Sequence, residues 1–381
     1  MGSIGAASVE FCFDVFKELK VQHVNENIFY SPLSIISALS MVYLGARENT
    51  KAQIDKHNII YLFICIQCVT SASIHSLKDM FTQITKPSDN YSLSFASRLY
   101  AEEAYSILPE YLQCVKELYK GGLETISFQT AADQARDLIN SWVESQTNGK
   151  RMIKNILQPG AVDLETEMVL VNAIYFKGMW EKAFKDEDTQ TVPFRMTEQE
   201  SKPVQMMYQV GSFKVAVMAS DKIKILELPY ASGQLSMVVV LPDDVSGLEQ
   251  LEASITSEKL MEWTSSSIME EKKIKVYLPH MKIEEKYNLT TVLMALGMTD
   301  LFSPSANLSG ISSAEKLKVS EAVHEAFVEI YEAGSEVVGS TEAGTEVTSV
   351  SEEFKADHPF LFLIKHNPTN SILFFGRCFS P

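Results

Sequence analysis

The sequence lacks the motifs that mark the common classes of enzyme. It has no Gly-x-Ser-x-Gly turn to present a nucleophilic serine and no glycine-rich loop to hold a phosphate group. His324 has no second histidine four residues further on, so the ligand pair of a zinc-protease helix is missing. We therefore predict that the chain is not an enzyme and uses no metal or cofactor, and we interpret His324 as a hydrogen-bonded core residue.

Cysteine is scarce, and the few thiols are Cys12, Cys65, Cys68, Cys114 and Cys378. Five cysteines are too few for a disulfide scaffold, and an odd number leaves at least one thiol free. Cys65 and Cys68 have the spacing of a zinc or dithiol site, but no second pair supplies further ligands and no neighbouring cation would lower a thiol pKa. We interpret the two as packing residues, and this interpretation is compatible with one disulfide.

Basic residues and long apolar runs are also few. The chain has 33 Lys and Arg against 49 Asp and Glu, which gives a net charge of -16 at pH 7. Because this charge repels phosphate backbones, we predict no nucleic-acid partner. The longest dense apolar run, residues 59–66, is much shorter than the about 20 residues of a transmembrane helix, so we predict no membrane span. The first residues also lack the pattern of a cleaved secretory signal.

Hydrophobic residues nevertheless make up 46% of the chain, enough for a sizeable core. Cap residues and helical spacing predict helices at 31–45 and 130–149. The apolar stretch 168–176 predicts a strand that is buried on both faces, and 358–381 reads as a hairpin. With no repeat and no linker of Pro, Gly or Ser, we predict one α+β domain over 1–381.

Three segments together resemble the serpin family: NIFYSPLSIISALSMVYLGA (27–46), VLVNAIYFKGMWEKAF (169–184) and FKADHPFLFLI (354–364). Further blocks make the chain similar to the secreted, non-inhibitory storage serpins of egg white. The resemblance implies a serpin fold of three β-sheets and about nine helices, with an exposed reactive loop at about 332–354. In inhibitory serpins a serine protease cleaves this loop, which then inserts into the sheet in which the segment 169–184 resembles a central strand.

The resemblance also assigns roles to particular residues. It implies that a structural polar cluster lies beneath the strands that separate on insertion, formed by Ser31, Ser34, Asn172 and His324. It implies one disulfide, between Cys68 and Cys114, and therefore three free thiols.

The resemblance further implies an extracellular glycoprotein that is secreted through an internal, uncleaved signal near 21–46. Sequons for N-glycosylation occur at Asn90, Asn288 and Asn307. The resemblance favours Asn288 as the glycan site over the other two. We also expect the protein to be a monomer.

One segment departs from the family pattern. Residues 56–67, KHNIIYLFICIQ, are apolar where serpins have a longer and more polar connection. This stretch is either a genuine local replacement or a mis-assigned exon boundary, and the sequence leaves both interpretations open.

The start of the loop matches the hinge of inhibitory serpins only in part. The conforming residues are Glu332, Gly334, Ser335 and Glu336. The residues that stand where inhibitors carry small side chains, mostly alanine, are Val337, Val338, Gly339 and Ser340. Adjacent valines stiffen the backbone, and a glycine weakens a strand by about 0.5–1 kcal/mol relative to alanine. We therefore expect insertion to be allowed but slow.

Side-chain parity within the loop is compatible with insertion. Every second residue from Ser335 to Val347 is uncharged, whereas Glu336, Glu342 and Glu346 share the opposite parity. As a strand, the segment would therefore keep these carboxylates in water.

The loop spacing of the family places the reactive bond between Thr348 and Ser349. Thr348 suits an elastase-like serine protease better than a trypsin-like one, so a protease of that class is the expected partner at the loop. Ser340 begins a Ser-x-Glu phosphorylation motif, which we interpret more simply as solvated loop. The main hypothesis is a secreted, non-inhibitory storage serpin, and the alternative is an inhibitor of elastase-like proteases that inserts its loop after cleavage at Thr348-Ser349.

Overall fold

The computed structural model describes residues 4–57, 82, 84–86, 88–119, 122–147, 153–265, 267–313, 317–334 and 352–381. These residues form eight α-helices, two short 3-10 helices and fourteen β-strands, so the predicted α+β class is confirmed. None of the helices in these ranges is both long and apolar enough to cross a membrane.

The α-helices are α1 (Ile4–Gln22), α2 (Pro32–Gly45), α3 (Glu48–Asp55), α4 (Pro109–Leu118), α5 (Phe128–Gln146), α6 (Leu248–Ser254), α7 (Ser257–Trp263) and α8 (Leu289–Ala295). The 3-10 helices are Asp186–Asp188 and Asp300–Phe302. The strands are β1 (Ile28–Tyr30), β2 (Tyr91–Glu102), β3 (Leu123–Ile126), β4 (Met168–Gly178), β5 (Gln190–Arg195), β6 (Ser201–Met218), β7 (Ile223–Pro229), β8 (Leu235–Pro242), β9 (Glu270–Pro279), β10 (Met281–Asn288), β11 (Glu321–Ile330), β12 (Glu353–Lys355), β13 (Phe360–His366) and β14 (Ser371–Cys378).

The strands form a nine-stranded and a five-stranded sheet. The larger sheet has the order β1-β14-β13-β8-β7-β6-β9-β12, with β5 paired to β6. β6 pairs with β5 over residues 201–206 and with β7 over 214–218, so it passes from one part of the sheet to another. The larger sheet can be counted as two portions joined by β6. Together with the five-stranded sheet, these portions give the three sheets that the serpin resemblance implies.

The five-stranded sheet, in the order β10-β11-β4-β2-β3, determines the position of the candidate site. β4 and β11 are parallel neighbours at its centre. β4 is buried along nearly its whole length, which confirms the strand predicted at 168–176. Its two faces are covered by different helices, because α2 packs against β2 and β4 on one face and α5 lies over the other.

Helix α2 is the most deeply buried helix among the described elements. Its predicted start is confirmed: the Ser31 hydroxyl accepts a hydrogen bond from the Ser34 amide over 3.1 Å, and Pro32 occupies the first turn, where it needs no amide hydrogen. Every residue of α2 except Leu44 is buried, so the helix forms the interior of the molecule.

Helix α5 covers the opposite face of the sheet. It runs from Phe128 to Gln146, close to the predicted 130–149, with a non-helical backbone at Ala131. Phe128, Ile139 and Val143 of α5 pack on apolar side chains of β4 and β11 together with the segment 153–162 that follows the helix. We call this helix and segment the cover of the sheet.

Candidate functional site

The four residues of the polar cluster are brought together by the fold. Asn172 Oδ1 accepts hydrogen bonds from the Ser34 hydroxyl over 2.7 Å and from His324 Nδ1 over 2.6 Å. His324 Nε2 accepts the Ser31 amide over 3.1 Å, and Asn172 Nδ2 donates to the Ser34 carbonyl over 3.2 Å. All four residues are at most 1% exposed.

The cluster connects α2 to the central strand pair. Asn172 on β4 and His324 on β11 are register partners across the parallel pair, while Ser31 and Ser34 belong to the first turn of α2. Separation of β4 from β11 would therefore break the bond between Asn172 and His324. This geometry supports the structural role that the resemblance implies, which stays a prediction.

The cluster is not arranged as a catalytic centre. Because His324 Nε2 accepts the Ser31 amide, the ring proton is on Nδ1 and neither nitrogen is free to act as a base. Burial lowers the pKa of His324 to about 3, so the ring is neutral at physiological pH. The Ser34 hydroxyl donates to Asn172, and no general base lies beside it among the described residues.

Residues 332–334 form the base of the predicted reactive loop. The Glu332 carbonyl accepts the Phe184 amide over 2.9 Å, and the Ala333 carbonyl accepts the Trp180 amide over 3.0 Å. The Glu332 carboxylate accepts from the Thr189 hydroxyl over 3.0 Å and lies 3.1 Å from His280 Nδ1. The loop therefore leaves β11 through a set of fixed contacts to the residues that follow β4.

Gly334 is required at this base by the close approach of two backbones. A β-carbon at this position would lie 2.6 Å from the backbone nitrogen and the Cα of Ala183, which is too short for any side chain. Trp180 lies alongside, stacks on Tyr230 with ring centroids 4.6 Å apart, and donates its indole N–H to the Tyr331 carbonyl over 2.7 Å.

Several predicted site residues lie outside the described part of the chain. They are Ser335, Glu336, Val337, Val338, Gly339, Ser340, Thr348 and Ser349 in the loop, together with Cys65, Cys68 and residues 58–67 of the atypical segment. Their predicted roles therefore stay predictions.

The described cysteines divide into two kinds. Cys114 is disulfide-bonded, and its predicted partner Cys68 lies outside the described residues. Cys12 and Cys378 are free and buried. Burial raises the pKa of Cys12 to about 12 and also raises that of Cys378, so both thiols stay protonated and unreactive.

The three sequons differ in how their amide groups are engaged. Asn288 is exposed, and its Oδ1 caps α8 by accepting the Thr291 amide over 3.3 Å. By contrast, Asn307 donates its Nδ2, the atom that would carry a glycan, to Glu48 over 3.1 Å. Asn90 is half-buried. Which of the three carries a glycan stays a prediction.

Sequence reasoning identified Glu332 but missed its partners. Thr189 and His280 are 143 and 52 residues away in the chain, and no local pattern marks either of them. They meet Glu332 only because the residue that follows β9 and the residue that precedes β5 converge where the chain leaves β11.

Comparison with known proteins gives a consistent result. The family model described as Serpin (serine protease inhibitor) matches residues 6–381. Ovalbumin from Dromaius novaehollandiae is 75% identical over 390 residues and ovalbumin from Gallus gallus 71% over 391, each with 100% of both chains covered. A solved structure of uncleaved ovalbumin matches with a TM-score of 0.94 at 71% identity, and a loop-inserted structure of a cleaved ovalbumin mutant with 0.87 at 64%, each covering 100% of both chains. The chain belongs to the serpin family.

Proposed function

We propose that this serpin is a secreted storage protein of egg white that does not inhibit proteases. The observation that carries the proposal is its 71–75% identity with avian ovalbumins over the full length of both chains. Storage requires a stable and soluble fold, and a net charge of -16 favours solubility at high concentration. No step of catalysis is required of the chain.

The sequence of the loop supports the absence of inhibition. An inhibitory serpin must insert its loop before the acyl-enzyme that it forms with the protease is hydrolysed. Val337, Val338 and Gly339 replace the small residues that favour rapid insertion, because paired valines are stiff and glycine weakens a strand. The loop is therefore expected to behave as a substrate, with cleavage at Thr348-Ser349.

The central strand pair adds a barrier to loop insertion. A loop that enters between β4 and β11 must break the 2.6 Å bond from His324 to Asn172 inside a fully buried cluster. It must also release the Ala333 carbonyl from the Trp180 amide at the base of the loop. Both steps slow insertion, but the resemblance assigns the cluster to serpins in general, so this barrier does not by itself distinguish storage from inhibition.

Incubation with an elastase tests the proposal. We expect cleavage within 335–351 and no covalent complex that survives SDS electrophoresis. A matched variant, Val337→Ala/Val338→Ala/Gly339→Ala, removes the stiff and weak positions of the hinge and should shift part of the protein towards a stable complex. A covalent complex formed by the unaltered protein would overturn the proposal.

The second candidate function is inhibition of elastase-like serine proteases through cleavage at Thr348-Ser349 and loop insertion. Two observations favour it: the small Ser335 at the start of the insertable stretch, and the loop-inserted structure of a cleaved ovalbumin mutant among the relatives. The thermal midpoint before and after cleavage reports whether the loop has inserted, since an inserted loop adds a strand to the sheet and should raise the midpoint by tens of degrees. A covalent complex that survives SDS electrophoresis separates an inhibitor from a protein whose loop inserts only slowly.

The proposal includes the modifications expected of a secreted protein. We infer a glycan at Asn288, whose removal in Asn288→Gln should abolish a glycosidase-sensitive mass shift.

We infer one disulfide, Cys68 to Cys114, so that denatured and unreduced protein should show three thiols and not five. Secretion through an uncleaved signal near 21–46 predicts that the secreted chain keeps its own N-terminus. We also expect a monomer, which a sedimentation measurement should show.

A further inference from the structure

Glu325 is a buried carboxyl group in the central strand pair. It is 3% exposed, and its Oε2 is buried without a hydrogen-bond partner among the residues that the structure describes. Alternation along β11 places it on the same face as Val323 and Phe327, which pack beneath the cover. A carboxylate at such a position is strongly disfavoured unless a cation pairs with it.

The charged groups that face Glu325 come from β10 and from β11 itself. Lys286 is directly opposite in the register and Glu284 is two residues before it. On β11 itself, Glu321 lies four residues before Glu325 on the same face. On β4 the opposite residue is Ala173. The cover contributes apolar side chains to this face, among them Ile139 of α5. Burial is the main cause that raises the pKa of Glu325 to about 8, with Lys286 opposing the rise and Glu284 adding to it.

Lys286 is the nearest cation, yet its ammonium group is used elsewhere. Its Nζ donates to the Asn155 carbonyl over 3.2 Å, and no ion pair joins it to Glu325 in the described part of the chain. Asn155 has a positive φ of 54°, an unfavourable backbone for a residue other than glycine. Its carbonyl also accepts from Gln158 Nε2 over 3.1 Å, so two side chains hold this strained turn at the start of the segment 153–162.

We propose that Lys286 and Glu325 form a pH-operated latch on the cover. With Glu325 neutral, Lys286 holds the turn at Asn155, and when Glu325 ionises, Lys286 turns to that carboxylate and releases the turn. The two acceptors compete for one ammonium group, which gives the arrangement two discrete states. Release loosens the segment 153–162 directly above the pair of strands β4 and β11.

The direction of the pH dependence follows from linkage. In the closed state the pKa of Glu325 rises from 4.5 to about 8, so the closed state binds the proton more tightly than an open state in which the carboxyl meets water. The cover therefore loses stability as pH rises from about 4.5 through about 8. Above about pH 8 both states are ionised, and the stability of the cover no longer changes with pH.

Hydrogen exchange of the segment 153–162, followed by mass spectrometry in the full-length protein, tests the latch. The unaltered protein and Glu325→Gln are compared at the same pH, so that the intrinsic exchange chemistry cancels. We expect the ratio of their exchange rates to rise at least about tenfold between pH 5 and pH 8, and to change by no more than about threefold between pH 8 and 9.5.

Two further variants separate the latch from a general effect of charge. Glu329→Gln removes a carboxylate from the same face of β11, one that is already paired with Lys177 over 2.8 Å. The ratio of exchange rates between the unaltered protein and Glu329→Gln should therefore not change with pH. Lys286→Met removes the cation and should speed exchange around Asn155 already at pH 5. If Glu325→Gln does not fold, Glu325→Ala serves with the same expectation.

Two results would overturn the proposal. One is an exchange profile of Glu325→Gln that parallels the unaltered protein from pH 5 to pH 8. The other is a turn at Asn155 that remains as protected in Lys286→Met as in the unaltered protein, since Lys286 would then not hold the segment.

Discussion

His324 and Glu325 are neighbours on β11, yet their side chains enter opposite sides of the same sheet. His324 enters the α2 side, where both ring nitrogens have hydrogen-bond partners. Glu325 enters the α5 side, where one carboxyl oxygen has no hydrogen-bond partner within the described part of the chain. The comparison shows that burial alone does not decide how firmly a polar group holds a sheet. What decides it is whether every donor and acceptor is paired.

The two sides also respond to pH in opposite directions. Burial keeps His324 neutral and Glu325 protonated. Acid therefore destabilises the α2 side by protonating His324, and base destabilises the α5 side by ionising Glu325. Any strand that enters between β4 and β11 has the α2 side of the sheet on one face and the α5 side on the other. We infer that the α2 side resists insertion at neutral and alkaline pH, and that the α5 side offers resistance that weakens as pH rises.

The largest expected effect comes from breaking the paired side. Asn172→Ala removes the acceptor of both the Ser34 hydroxyl and His324 Nδ1, and leaves two buried donors unsatisfied. We expect a loss of about 4 kcal/mol in the free energy of unfolding, measured with urea at pH 7. Gln199→Ala, at an exposed position, should cost less than about 0.5 kcal/mol. A loss for Asn172→Ala as small as that of the control would contradict the account of the cluster.

The next effect is the acid dependence that His324 contributes. Because its pKa in the folded protein falls from 6.5 to about 3, the unfolded chain binds the proton more readily between these values. The stability due to a neutral His324 is complete above about pH 6.5 and falls by about 1.4 kcal/mol per pH unit below it. Urea titrations at pH 7, 6 and 5 should show this slope in the difference between the unaltered protein and His324→Gln, because Glu325 and the other titrating groups contribute equally to both. An equal slope in both proteins would assign the acid sensitivity to other groups.

A smaller effect is expected from loosening the cover without changing charge. Asn140 of α5 donates to the Leu157 carbonyl over 3.0 Å and accepts the Leu157 amide over 2.8 Å. Asn140→Ala should therefore cost about 1–2 kcal/mol and speed hydrogen exchange within 153–162, with β1 and α2 unaffected. Ser141→Ala, on the exposed side of α5, is the matched control and should do neither. Faster exchange in α2 would show that the two sides of the sheet are not independent.

The smallest effect sharpens the comparison with Glu325. Glu329 lies on the same face of β11 but is partly exposed, and it forms an ion pair with Lys177 over 2.8 Å. Glu329→Gln should change stability by no more than about 0.5 kcal/mol, because exposed ion pairs contribute little. A larger loss, measured by urea unfolding at pH 7, would indicate that this end of β11 is more deeply buried in solution.

The α2 side of the sheet was largely predictable from the sequence. Ser31 and Pro32 identify the start of α2 by local chemistry, and the apolar stretch at 168–176 identifies a buried strand. Membership of His324 in a cluster with Asn172 came from the resemblance of the segments around them to serpins, because no local pattern links residues 152 positions apart.

The α5 side was not predictable from the sequence. Glu321, Glu325 and Glu329 recur on one face of β11, a pattern typical of a strand with one face in water. Glu325 is buried instead because α5, which lies far upstream in the chain, crosses this face. Its burial depends on tertiary packing that neither propensity nor periodicity encodes. The same holds for His280 and Thr189, which meet Glu332 only in the folded chain.

The contrast between the two sides is tested most directly by the free energy of unfolding of the unaltered protein and of Glu325→Gln at pH 5 and pH 8. Burial that raises the pKa of Glu325 to about 8 predicts near equality at pH 5 and, at pH 8, a variant more stable by several kcal/mol. A difference that is the same at both values would contradict the account, because Glu325 would then carry no pH-dependent cost in the folded protein.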